Sequence, residues 1–215
     1  MIKHLLSDLN NTNSIQHLSL PVMESFYTIQ GEGYHQGKAA FFVRLAGCDV
    51  GCVWCDVKDS WDTAMHPVKE LNEILDEINK TPAKMVVITG GEPLMHDLSS
   101  LTTLLKQNGY LLNIETSGAY PVSGRWDWIC VSPKKFKAPI PGILPMANEL
   151  KVVVFNHSDF AWAEKYAAMV SETCKFYLQP EWDKAAQVTP AIIDYIKQNP
   201  KWELSLQIHK YINVP

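Results

Sequence analysis

The sequence predicts an α/β protein built as a partial, open barrel. Short apolar stretches alternate with stretches of helical periodicity, so consecutive strands are joined by right-handed crossovers into a parallel sheet covered by helices. The 215 residues fall short of the roughly 250 that a closed eightfold barrel takes. Glycine and carboxylate clusters lie just after the strands, the side on which parallel α/β sheets gather their active sites.

Taken in order, residues 1–19 read as a leader, rich in Asn and Ser over 8–16, and residues 20–215 as one domain. No Gly/Ser linker, low-complexity run or fixed-period repeat divides that domain. Residues 23–29 and 40–45 carry β-branched and aromatic side chains on either side of Gly31, Gly33 and Gly37, which predicts two strands joined by a glycine-rich loop. Val68, Leu71, Ile74, Leu75 and Ile78 recur at helical spacing, with Pro67 suited to the first turn. Residues 84–89 form an apolar strand ending at Gly90 and Gly91, followed by a helix over 98–107 that Gly109 stops. Strands are expected at 110–115, 128–131, 150–155, 175–178 and 203–207, and helices at 159–169 and 190–198.

Nineteen basic side chains face 23 acidic ones, a net charge of −4, and no segment concentrates enough basic charge for a nucleic-acid coat. The longest apolar runs, such as 39–43 and 85–88, are far shorter than the roughly 20 residues of a membrane helix. The start of the chain lacks the pattern of an export signal, which makes the reducing cytoplasm the expected compartment and disulfides unexpected. Three of the five cysteines crowd between Cys48 and Cys55, a pattern of ligands rather than staples.

Cys48, Cys52 and Cys55 form CxxxCxxC within one loop. A structural zinc ion wants four ligands; no second cysteine pair follows, His66 is the nearest histidine, and Asp49 or Asp56 would be atypical partners. A four-iron cluster is ordinarily held by four thiolates, so three local cysteines leave one iron open to a cofactor or substrate. Cys130 and Cys174 sit at or beside apolar strands and read as small core residues.

With Thr89, Gly90, Gly91, Glu92 and Pro93 one βα unit downstream, the sequence resembles the radical S-adenosylmethionine superfamily, which combines CxxxCxxC with a GGEP segment. The resemblance implies a modified partial TIM-like barrel, a [4Fe-4S] cluster on Cys48, Cys52 and Cys55, and S-adenosylmethionine chelating the open iron. Gly91 and Glu92 would hold its methionine end. One electron then yields a 5′-deoxyadenosyl radical, which demands a dry pocket that clamps the substrate.

A second, more specific resemblance covers almost the whole chain. The run Glu24 to Gly33, Phe42 to Cys48, Trp54-Cys55-Asp56, Glu115-Thr116-Ser117-Gly118, Ser132-Pro133-Lys134, Gln179-Pro180 and Gln207 to Lys210 resemble the family of 7-carboxy-7-deazaguanine synthases. Such a likeness implies ring contraction of 6-carboxy-5,6,7,8-tetrahydropterin with loss of ammonia, on the route to queuosine and related deazapurines. It also implies a homodimer, an external electron donor such as a flavodoxin or ferredoxin, and Mg2+.

Chemistry suits the residues so matched. Backbone groups at Ile29, Gln30 and Gly31 can read the amide and amino edges of a pterin. Arg44 is the fork for its carboxylate, Glu115 accepts from its guanidine-like edge, and Thr89 and His209 are further candidates. By resemblance Pro215 closes over the pterin, and Gly91, Ser132, Pro133, Lys134, Gln179, Pro180, Glu181 and Trp182 border the adenosyl cofactor. The Asp56–Val57 loop is the expected Mg2+ site, with a departure: Val57 stands where the family commonly has Thr, so Asp56, Asp59, Ser60 or a main-chain carbonyl would have to substitute. Two rival readings are a small glycyl-radical activase and a structural zinc module that binds RNA through Trp54, Trp61, Trp126 and Trp128.

Overall fold

The structure, a computed structural model, describes residues 18–215, so the leader expected over 1–19 lies outside the described residues but for Leu18 and Ser19. Nine strands run in chain order: β1 (Ser19–Ile29), β2 (Ala39–Leu45), β3 (Val68–Glu70), β4 (Met85–Gly90), β5 (Leu111–Thr116), β6 (Trp128–Val131), β7 (Glu149–Val154), β8 (Lys175–Pro180) and β9 (Trp202–Leu204). They form one sheet in the order β3-β1-β2-β4-β5-β6-β7-β8-β9. The β1–β2 hairpin is antiparallel, with Glu24 opposite Arg44, and β3 pairs antiparallel with the other edge of β1. From β2 onward every pairing is parallel. No pairing joins β3 to β9, so the barrel is open, as expected.

Helices α1 (Leu71–Asn79), α2 (Ser99–Gln107), α3 (Ser158–Ala167) and α4 (Ala185–Gln198) cover one face, and α5 (Ile208–Ile212) lies beyond β9. The period-two alternation of the strands explains the layers. Val43, Leu45, Val86, Ile88, Leu112, Ile114, Val131, Leu150 and Val152 turn outward into a single core with Ile74 and Ile78 of α1, Leu101 and Leu105 of α2, and Phe160 and Ala163 of α3. Their neighbours turn inward. Ala40, Met85 and Val87, with Phe42 against them, close the lower end of the barrel; higher up the inward residues are Arg44, Thr89, Glu115, Lys151 and Gln179. Among the described residues no helix is long and apolar enough to cross a membrane.

Four elements differ from expectation. Pro67 does not open α1: its carbonyl accepts from Val22 N–H, and Val68–Glu70 add a strand to the edge of β1. Glu70 starts the helix through a capping box with Glu73, so Val68, 65% exposed, never joins the helical face. Helix α4 begins at Ala185 and carries Pro190 inside it, because the Glu181 carboxylate caps the preceding turn by accepting from the N–H groups of Asp183 and Lys184. The last strand stops at Leu204: Ser205 N–H makes the final rung of the ladder to Leu178 O, and the Ser205 hydroxyl accepts from Gly33 N–H. Residues after Gln207 then form α5 rather than continuing the strand.

Replacing Ile88, fully buried between β4 and the helices, by Ala should cost about 2–5 kcal/mol in denaturant unfolding. The same truncation at Leu111, 55% exposed, should cost about 0.5 kcal/mol or less.

Candidate active site

The cysteine loop leaves β2 and folds back against the turn that ends β4. Gly91 N–H donates to Leu45 O at 3.1 Å and Glu92 N–H to Gly47 O at 2.8 Å. A Cβ on Gly91 would lie 2.5 Å from Gly47 O and 2.6 Å from Cys48 Cβ, so only glycine lets the two loops meet. Burial raises the Cys48 and Cys52 thiols, Cys52 to about 11, and the neighbouring Cys55 adds to both; Lys134 pulls Cys52 part of the way back. Left to themselves these groups stay thiols, and a cationic metal centre is what would hold them as thiolates. Cys130 and Cys174 are buried, as expected of core residues. Burial, with Glu115 and Glu149 nearby, raises Cys130 well above the usual thiol range.

Two adjoining cavities open beside the cysteine loop, of about 210 and 170 Å3, sharing Arg44, Thr89 and Glu115 in their walls. The first is bounded by Cys55, Gly91, Ser132, Lys134 and the segment from Gln179 to Trp182. The second is bounded by Ile29, Gln30, Gly31, His209 and Pro215. The two groups of residues expected to face cofactor and substrate are thus sorted into neighbouring chambers. His209 rests directly on the glycine loop: a Cβ on Gly31 would lie 2.1 Å from its Nδ1. Ile208 N–H donates to Gly31 O at 3.0 Å, fixing α5 over the second chamber.

Two expected residues, Glu92 and Pro133, line neither cavity. Glu92 is 1% exposed and does not line either cavity. Its Oε1 accepts from Leu94 N–H and Thr116 Oγ1, and its Oε2 from Ser117 N–H and Oγ. Four donors thus occupy its two oxygens, and the carboxylate braces the glycine turn against the end of β5. Pro133 faces a separate groove with Trp54, Phe136 and Trp162. Arg44, in the wall of both cavities as expected, gives its Nε to Glu24 at 2.6 Å, which orients the guanidinium; among the described residues its two terminal nitrogens carry no hydrogen bond.

The sequence reading missed the centre of the site. Lys151 on β7, 4% exposed, bonds Glu32 at 2.5 Å and Glu115 at 2.9 Å. Gln30 Nε2 donates to the other oxygen of Glu115, and Gln207 Nε2 to the other oxygen of Glu32. Burial would push the Glu32 carboxyl up, but Lys151 and the Gln207 amide overcome it and hold it down to about 2. Burial likewise pulls Lys151 down, and Glu115 and Glu32 together raise it well above the usual lysine range. Inward alternation on β7 was the only available signal for Lys151, and a lone lysine in an apolar strand does not announce its partners. Below it Glu149 accepts from Trp128 Nε1 and Tyr34 N–H through Oε2, while its buried Oε1 has no hydrogen-bond partner among the described residues. Burial and then the charge of Glu115 push Glu149 up to about 7.

Residues 43–129, which carry both loops, match the Radical SAM superfamily. Over 196 residues the chain is 54% identical to the 7-carboxy-7-deazaguanine synthase of Flavobacterium psychrophilum, covering 91% of this chain and 93% of that one. It is 48% identical to the synthase of the same name from Synechocystis sp., covering 92% and 94%. The crystal structure of QueE from Escherichia coli superposes with a TM-score of 0.79 at 34% identity, covering 88% of this chain and 94% of that one. The chain belongs to the 7-carboxy-7-deazaguanine synthase family. It is a radical SAM enzyme, and neither the activase nor the zinc module is favoured by these relatives. A [4Fe-4S] cluster and S-adenosylmethionine follow from the superfamily, and the residues fit them: three thiols on one loop, the glycine-only approach at Gly91 and a cavity bounded by Cys55.

Unfolded, Glu32 and Glu149 take up protons near pH 4.5. Glu32 therefore stabilises the fold above that pH, a contribution lost as pH falls toward about 2; Glu149 does the reverse, its stabilising protonated form disappearing as pH rises toward about 7. Glu149→Gln removes the second titration, so its thermal midpoint should fall less between pH 5 and 8 than that of the parent chain.

Proposed function

We propose that this enzyme rearranges 6-carboxy-5,6,7,8-tetrahydropterin into 7-carboxy-7-deazaguanine with release of ammonia, in queuosine or related deazapurine synthesis. One observation carries the reading: a chamber at the cysteine loop opens directly onto a second chamber that offers an oriented guanidinium and a carboxylate side by side. When bound, the cluster and S-adenosylmethionine supply a one-electron route to an adenosyl radical that abstracts a substrate hydrogen.

Everything else falls to the chain. Arg44 grips the substrate carboxylate with its two unengaged nitrogens. Glu115, whose oxygens are set by Gln30 and Lys151, accepts from the guanidine-like edge of the pterin ring. Main-chain groups of Ile29 to Gly31 and the Thr89 side chain complete the wall, with His209 and Pro215 above it. The bond from Gln207 to Glu32 and the seat of α5 on Gly31 close the mouth and keep water from the reacting centre. Ser132, Lys134, Gln179, Pro180, Glu181 and Trp182 flank the cofactor, Lys134 donating to Ser132 Oγ at 2.5 Å. The reading includes a cytoplasmic homodimer, reduced by an external flavodoxin or ferredoxin, with no nucleic-acid or membrane partner.

Anaerobic incubation of the reconstituted protein with the carboxylated tetrahydropterin, S-adenosylmethionine and reductant should yield the deazapurine; unchanged pterin would sink the reading. Arg44→Ala should lower kcat/KM by roughly 10- to 100-fold, the worth of a charge-assisted hydrogen bond, with an unaltered cluster spectrum.

A further inference from the structure

The loop after the third cysteine is where the family likeness places Mg2+, and the structure shows how most of its oxygens are engaged. Val57 brings only hydrocarbon to the wall of both cavities. Asp56 lies beside it, but its Oδ2 accepts from Lys210 Nζ at 2.7 Å. Asp59 lines neither cavity, and its carbonyl accepts from His66 Nε2 at 2.6 Å. Ser60 is fully buried, its hydroxyl donating to Val57 O at 2.6 Å and its N–H to the same carbonyl at 3.1 Å. The carbonyl of Ser60 accepts from Gly47 N–H at 2.7 Å. The single carboxylate of this loop at the cavity rim already holds a cation, and it is a lysine.

Magnesium keeps several waters and is usually anchored by one or two protein carboxylates in a near-octahedral set at about 2.0–2.1 Å. The one carboxylate this loop brings to the cavities is engaged by an ammonium, and Val57 adds no oxygen from its side chain. We propose that Lys210 takes the place of the divalent cation: it neutralises Asp56 at the mouth of the site, so that a carboxylated substrate enters without Mg2+. The ammonium is fixed from two sides, by the Asp56 carboxylate and by the Trp182 ring, whose centroid lies 4.9 Å away. Tyr211, the next residue on α5, packs edge-on against the same ring at 5.2 Å. A lysine so held is a point charge with three protons. It screens and orients but coordinates nothing, so the grip on the substrate carboxylate rests with Arg44. The identity of the substrate is taken from the function proposed above; the metal-free loop stands apart from it.

Two measurements on the reconstituted holoenzyme test the inference. With cofactor, carboxylated tetrahydropterin and EDTA, turnover should stay within about twofold of that in excess Mg2+; a loss of about tenfold or more that Mg2+ restores would overturn it. Mn2+ titrated into the same mixture without reductant, the cluster left oxidised, should keep its free paramagnetic signal, whereas one tightly bound ion per chain would overturn the inference whether or not the pterin turns over. Lys210→Met uncovers Asp56: KM should rise about fivefold or more, Mg2+ should recover most of that loss, and Lys210→Arg should recover it without metal. An unchanged KM in Lys210→Met refutes the role. If no deazapurine forms in any mixture while Mn2+ stays free, the pterin reading falls and the metal-free loop is supported.

Discussion

A curved sheet offers little water to the side chains it buries on its inward face, so each charge buried there has to be met by another. Lys151 is where this protein meets that constraint. Its ammonium joins the loop after β1, through Glu32, to the end of β5, through Glu115, and the two glutamines that complete those carboxylates come from the glycine loop and from the approach to α5. One buried cation thereby sets the spacing between elements far apart in the chain. Such pairs add little net stability once desolvation is counted, but removing one partner leaves an uncompensated buried charge. What the cluster contributes is a fixed arrangement of acceptors at the bottom of the two chambers.

The same accounting separates residues that brace the site from residues free to meet a ligand. Glu92 belongs to a motif that resembles a cofactor-binding segment, yet four donors occupy its two oxygens. It earns its place by holding the glycine turn against β5. Arg44 is half engaged, with one nitrogen on Glu24, and this leaves it both oriented and available. Asp56 is spoken for by Lys210. Counting open lone pairs and protons assigns roles that a motif alone does not.

Most of the sheet was legible because each parallel strand carries a run of apolar residues and each covering helix a stripe at helical spacing. Legibility failed where a pairing partner outweighed local pattern. Pro67 and Val68 fit a helix start by themselves, but the free edge of β1 draws residues 68–70 into a strand. Pro190 looks like a helix beginning, but the cap supplied by Glu181 starts the helix a turn earlier. Within the site, the cysteine triad, Gly91, Arg44, Thr89 and Glu115 stood out because their residue types at those places have a direct chemical meaning. The partners of Lys151 lie 119 and 36 residues away, and the partner of Asp56 lies 154 residues away, distances over which no sequence pattern operates.

By itself, then, the chain of residues determined which chemistry was available: three thiols on one loop, a glycine turn that permits close approach, and an open parallel sheet with its functional groups at one end. These follow from short-range spacing and from the alternation of apolar and polar side chains. Only the tertiary structure decided which charged groups neutralise one another and which stay open, since a pairing between remote strands depends on how the curved, open sheet brings their inward faces together.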